Sequence, residues 1–140
     1  MNDLLKIALS QYGVKEISGE KNNKQIVDYA KEAGFEWVND DETPWCSIFI
    51  NWCAMKAGLE RSHKANARSW LNTGELTTHP ETGDIVVFKR GNSEWQGHVA
   101  IFINYDGNYI NVLGGNQGNQ VKISKYNSVD LLGFRKLKKI

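Results

Sequence analysis

Cysteine and histidine are scarce in this sequence, and neither sign of charge prevails. Two cysteines in 140 residues, Cys46 and Cys53, make no disulfide framework. Seven residues apart on one helix, their Cα atoms would stand roughly 10 Å apart at a rise of about 1.5 Å per residue, beyond the reach of a disulfide. The histidines, His63, His79 and His98, show no zinc-ligand pairing with each other or with the cysteines, so neither metal nor cofactor is expected. With 17 Lys plus Arg against 16 Asp plus Glu, the chain lacks the basic excess that would hold a nucleic acid or a membrane surface. No apolar stretch approaches the roughly 18 residues of a membrane span, which excludes helical membrane insertion. The start, Met1 to Ile7, lacks the basic segment, apolar run and small-residue site of a secretory leader. Action outside the cytoplasm would then require another export route.

What is present reads as a folded globule. Hydrophobic residues make up 41%, with five each of Trp, Tyr and Phe, against disorder. The length suits one domain over residues 1–140, with no internal repeat and no linker. Residues 2–12 carry Leu4, Leu5, Ile7, Ala8 and Leu9 on a broad apolar face and predict a helix ending near Gly13. Val14 to Asn22 reads as a loop. A second helix is expected from Asn23 to Ala33, with Ile26, Val27, Tyr29 and Ala30 inward and Gly34 as its stop. The acidic run Asp40-Asp41-Glu42 reads as a solvated or helix-capping cluster without the ligand spacing of an EF-hand loop.

The stretch Thr43 to Leu59 organises the rest. Pro44 closes a loop, and Ile48, Phe49, Trp52, Met55 and Leu59 then recur at helical spacing up to the stop at Gly58. Cys46 falls in the first turn, where the positive end of the peptide dipoles favours a thiolate. Cys53, two turns on, is expected to face the core. Ala65 to Leu71 predicts one short helical segment before Gly74.

From residue 84 the period changes. Asp84–Lys89, His98–Asn104 and Tyr109–Leu113 read as strands, the last two joined by the turn signal Asp106-Gly107-Asn108. Gln120–Ser124 and Leu132–Leu137 are closing strands. Helices followed by an antiparallel sheet is an α+β order.

A nucleophilic thiol needs a base, and the base needs an orienting group. His63 in a basic loop and His79 before Pro80 read as surface residues. His98 opens a strand behind a small residue, Gly97. The Gly/Asn-rich Val112 to Asn119 follows the hairpin partner of that strand, so Asn116 can return near His98 and accept the imidazole N–H.

Pro44-Trp45-Cys46, Gly83-Asp84-Ile85-Val86-Val87-Phe88, Gly97-His98-Val99-Ala100-Ile101 and Leu113-Gly114-Gly115-Asn116-Gln117, in that order, resemble the CHAP family. These are cysteine- and histidine-dependent amidohydrolases/peptidases, relatives of papain-like bacterial cell-wall peptidases. The resemblance covers roughly residues 23–135 and is closest to a small phage and bacterial branch that shares Trp-Cys, Ala-Arg-Ser-Trp-Leu and Gly-Gly-Asn-Gln. It implies a papain-like α+β fold, N-terminal helices packed on a C-terminal antiparallel sheet. It also implies Cys46 as nucleophile, His98 as general base and then acid, and Asn116 as the orienting residue. Many members carry a glutamate about two residues before that asparagine. Here the position is Gly114, which leaves orientation to Asn116 alone or with Gln117 as helper.

Trp45, Trp70 and Trp95 are candidates to line a groove for sugar-peptide strands, with Gln117 as a further substrate contact, whereas Trp52 suits the core. The function implied is a peptidoglycan amidohydrolase cutting the sugar-to-Ala amide or a peptide bond of the stem or cross-link. Two settings fit: a phage-type lysin released by a pore protein, or an antibacterial effector delivered by a secretion apparatus and neutralised in its producer by an immunity protein. The alternative is a papain-like deamidase or transferase acting on a protein.

Overall fold

The computed structural model describes residues 2–17, 22–38 and 44–140. The acidic run Asp40-Asp41-Glu42 lies outside the described residues. Among these residues three helices come first, α1 (Asp3–Leu9), α2 (Lys24–Glu32) and α3 (Cys46–Lys56). Asn2 and Asn23 cap α1 and α2 by accepting from the N–H groups of Leu5 and Gln25, and α2 runs out at Ala33 before Gly34 turns with φ 93°. The third helix has no side-chain cap at Trp45, and every residue from Cys46 to Ala54 is buried. A helix apolar on all sides is the mark of a central element, and α1 and α2 pack against it. The expected segment after it is a 3-10 helix, Ala67–Asn72.

Six strands follow: β1 (Glu75–Thr77), β2 (Ile85–Lys89), β3 (Gly97–Asp106), β4 (Tyr109–Gly114), β5 (Lys122–Asn127) and β6 (Leu131–Lys136). They form one antiparallel sheet in the order β1-β6-β2-β3-β4-β5, which is the α+β, papain-like arrangement expected. Gly107 and Asn108 join β3 to β4, as the turn signal predicts. The edge strand β1, three residues long, has no counterpart among the expected elements.

Strand alternation divides the apolar side chains between two faces. Ile85, Val87, Val99, Ile101 and Leu113 meet the helices, while Val86, Phe88, Ala100, Phe102, Ile110 and Val112 form a second cluster on the other side. Register shifts at Val87/Phe88 and at Phe102/Asn104 bend the sheet. Through that curl Tyr126 of β5, whose backbone partner is Ile110, stacks on both Phe88 and His98 at ring-centroid distances of 4.9 Å. His98 lies on the same strand face as Ala100.

Residues 13–16, expected as plain loop, run beside the segment that follows β4. Val121 N–H donates to Val14 O at 2.8 Å, and Glu16 N–H to Asn119 O at 2.9 Å. The Gly83-Asp84 motif leads into β2. Gly83 takes φ +106° against the Asn2 side chain, and buried Asp84 accepts from Glu81 N–H at 2.8 Å and pairs with Lys136 at 3.0 Å.

Candidate active site

Cys46 heads α3 at the point where the helix meets the beginning of β3. Its N–H is one of the first four of the helix, which have no intrahelical acceptor, so the thiol sits beside oriented donors. Burial pushes its thiol up, but a hydrogen bond with His98, the histidine's charge, the Val99 N–H and Arg90 together outweigh it, and the thiol is held below its ordinary value. Cys53, in the core of the same helix, has burial to contend with and little to offset it, and lies well above the ordinary thiol value.

His98 is the second residue of β3 and is 3% exposed. Its Nε2 lies 2.9 Å from Oε1 of Gln117, a contact buried from solvent. The polarity of that contact follows from the rest of the amide. Gln117 Nε2 donates to Lys122 O at 2.6 Å and faces Val112 O at 3.4 Å, so Oε1 is left as acceptor and His98 Nε2 carries the proton. The Nδ1 lone pair is then free for the Cys46 proton. Tyr126 covers one side of the imidazole, nearly parallel at 17°. Burial, with the charge of Cys46 adding and Arg90 opposing, pushes its phenol up to about 12.

The amide at His98 is thus that of Gln117, and the orienting position expected for Asn116 belongs geometrically to its neighbour. Asn116 sits half-buried in left-handed backbone with φ 60°, a conformation asparagine tolerates better than most residues. It begins a tight turn in which Gly118 and Asn119 also have positive φ and Gln117 N–H donates to Gln120 O at 3.0 Å. That turn swings Gln117 inward. Gly114 supplies the space: a Cβ there would stand 2.6 Å from Gln117 Oε1 and 2.9 Å from Ala100 Cβ. The glycine and the glutamine compete for one volume, so a side chain at 114 and an amide from 117 are alternative ways of filling it.

An open cleft of about 290 Å³ adjoins Cys46. Trp37, Pro44, Asn66, Arg90, Trp95 and Gln96 contribute to its walls. The tryptophans expected along a groove divide. Trp95 is 73% exposed and borders the cleft. Trp70 is fully buried and donates its Nε1 to Ser47 Oγ at 2.9 Å, while Trp45 is 1% exposed among Tyr29, Phe49 and Gly115. Both belong to the core because their neighbours leave no face to solvent. Gln117, expected as a substrate contact, is likewise buried against His98. His63 and His79 are exposed.

Two supports fix the walls. Ser47 Oγ donates to Lys64 O at 2.6 Å, and Asn51 Oδ1 accepts from His63 N–H at 2.9 Å, tying the segment that leads to Asn66 onto α3. Arg68 donates to Ser93 O at 2.6 Å and Gln96 O at 2.8 Å, bracing the β2–β3 loop that carries Trp95. Sequence reasoning missed Arg68 as a brace, although it lies in the Ala-Arg-Ser-Trp-Leu motif. It also missed Trp37, Arg90 and Tyr126, whose only signals were an exposed aromatic, a strand end and a β-strand tyrosine. Among the described residues no group of His, Cys, Asp and Glu could hold a metal ion.

Comparison with known proteins bears on the family and the fold. The CHAP domain model matches residues 37–116, which include Cys46, His98 and the Gly114–Asn116 turn and exceed half of the chain. A solved structure from Staphylococcus aureus subsp. aureus Mu50, described as similar to a lipoprotein of the NLP/P60 family, superposes with a TM-score of 0.57 at 20% identity. The alignment covers 96% of this chain and 40% of that one, so this chain spans well under half of its length. Curated proteins give no match.

Proposed function

The chain belongs to the CHAP domain family of cysteine- and histidine-dependent amidohydrolases/peptidases, and from that premise we propose that it hydrolyses an amide bond of bacterial peptidoglycan. The bond is either the sugar-to-Ala amide or a peptide bond of the stem or cross-link. The observation that carries the proposal is the acidified Cys46 thiol against an imidazole whose tautomer is fixed by Gln117, beside an open cleft.

The chemistry follows from the atoms in place. His98 Nδ1 takes the thiol proton, and the Cys46 thiolate attacks the scissile carbonyl. Negative charge develops on the carbonyl oxygen at the N-terminus of α3, where the Cys46 N–H is free to donate. The imidazolium returns its proton to the leaving amine, and a thioester remains. His98 then takes a proton from water, the hydroxide adds to the thioester carbonyl, and the carboxylate product leaves Cys46 as thiol. Gln117 Oε1 holds the Nε2–H throughout, so the ring keeps one orientation while Nδ1 gains and loses the proton. The enzyme needs neither metal nor cofactor for these steps. A phage-type lysin or a delivered antibacterial effector, the latter with an immunity protein in its producer, is the setting that brings such an enzyme to the wall.

The test is digestion of purified peptidoglycan by the wild type and by Cys46→Ala, with released fragments identified by mass spectrometry. Wild type is expected to release fragments whose masses identify the bond, and the variant none, a loss on the order of 10⁴-fold or more. Equal release by both proteins would sink the cysteine mechanism. Release by neither, with deamidation of glutamine in a protein substrate, would replace this function with the transferase-like one.

A further inference from the structure

We propose that Arg90 is a specificity-determining residue that receives a free carboxylate of the substrate beside the scissile amide. This rests on the amidohydrolase function above and names the class of stem peptide it takes: one with its carboxylate unblocked, in preference to the same peptide with that carboxylate amidated.

The cleft at Cys46 is walled by aromatic, small and neutral polar side chains, and Arg90 is the one charged group among its described lining residues. It follows β2 directly and opens the loop that carries Trp95. The backbone carbonyl of Arg90 accepts from Ser93 N–H at 3.2 Å, and the loop beyond is braced by Arg68. The attachment of this guanidinium is therefore fixed while, among the described residues, its five donors face no carboxylate. Among the described residues Arg90 forms no ion pair, although Lys24, Lys125 and Lys136 each have an acidic partner. Arg68, in the 3-10 helix, shows what an arginine with a structural task does here: its Nε and one terminal nitrogen donate to backbone oxygens. A planar fork left open beside a nucleophile is shaped for bidentate carboxylate binding. The field of Arg90 reaches both Cys46 and Tyr126, which places the charge near the reacting atoms.

Arg90 also favours the Cys46 thiolate, so loss of activity in a variant would not by itself separate recognition from activation. Alkylation with a matched pair of reagents does. Iodoacetate and iodoacetamide attack the same thiolate and differ in carrying a carboxylate or its neutral amide. Any change in thiolate population cancels in the ratio of their rates. In the full chain the iodoacetate-to-iodoacetamide ratio at Cys46 is expected to exceed that of a small free thiol. Arg90→Gln should lower it on the order of tenfold, and Arg90→Lys should retain part of it. A ratio unchanged by Arg90→Gln overturns the proposal.

A second arm uses stem-peptide fragments with free or amidated carboxylates. Wild type is expected to show a lower KM for the free form, and Arg90→Gln to level the two with kcat less affected. Equal cleavage of both by wild type overturns the assignment of the substrate class. An Arg90-dependent alkylation ratio combined with cleavage of neither fragment would uphold the carboxylate preference and reject the peptidoglycan function on which the choice of substrate rests.

Discussion

Gly114 and Gln117 share one pocket of space: the amide oxygen that contacts His98 occupies the volume a side chain at 114 would enter, 2.6 Å from where its Cβ would begin. A side chain projecting from β4 at 114 and the amide folding back from the turn beyond it would compete for that volume, and only one fits.

Gln117→Ala should leave the imidazole without its buried acceptor. A lost buried hydrogen bond costs about 1–3 kcal/mol, so kcat is expected to fall roughly 10- to 100-fold with KM little changed. Gln117→Glu is a sharper probe. Its second oxygen would face Lys122 O, where the amide now donates at 2.6 Å, so the melting temperature should drop although the contact to His98 survives. Steady-state kinetics and thermal melts of the two variants separate these effects.

Gly114→Ala should act through Gln117. Its methyl group would displace the amide from His98, giving a loss of kcat comparable to Gln117→Ala. The double variant is expected to be no worse than either single one, since both break the same contact. A double-mutant cycle that came out additive would mean that Gly114 serves the backbone and not the amide.

The pH dependence of Cys46 alkylation by iodoacetamide has a defined sign. Its folded-state pKa is depressed, so the thiolate persists below the ordinary thiol range and is lost only as the pH falls through the depressed value. Reactivity should therefore plateau at a lower pH than that of a free thiol, near pKa ~8.5. In His98→Ala burial prevails, and the midpoint should move above the free-thiol value. Cys53 should stay unlabelled in the native protein at neutral pH, as burial raises its pKa and closes it to reagent.

The tryptophans can be told apart by which quantity moves. Trp70→Phe removes the donor to Ser47 Oγ and is expected to cost about 1–2 kcal/mol of stability with KM unchanged. Trp95→Ala, at an exposed position, should alter stability by no more than about 0.5 kcal/mol and raise KM. Denaturant melts and kinetics on wall fragments check both.

Arg68→Ala should loosen the β2–β3 loop without touching the thiol. Limited proteolysis within residues 90–96 is expected to accelerate, and KM to rise more than kcat falls.

Local signals proved the more legible part of the chain. Asn23 and Gly34 delimit α2 as expected, and the turn after Asp106 joins β3 to β4. The α+β order also follows from periodicity, whereas the pairing of Cys46 with His98 is implied by the family resemblance. What escaped is set by tertiary geometry. Asn116 and Gln117 are adjacent amides, and a positive φ at the first decides that the second turns inward. Trp45, Trp70 and Trp95 look alike in the sequence, yet two are enclosed by neighbours distant in the chain and one borders the cleft. Tyr126 reaches His98 only because the sheet curls.

The acidity of Cys46 has its origin late in the chain. The helix that carries it can form early during synthesis, but the imidazole, the amide that aligns it and the ring stacked on it arrive with residues 98, 117 and 126. Until those have emerged and paired, Cys46 has no base held beside it. A chain ending before those residues would hold Cys46 without its aligned base, so the thiol's acidity is a property of the closed sheet and not of the helix that carries it.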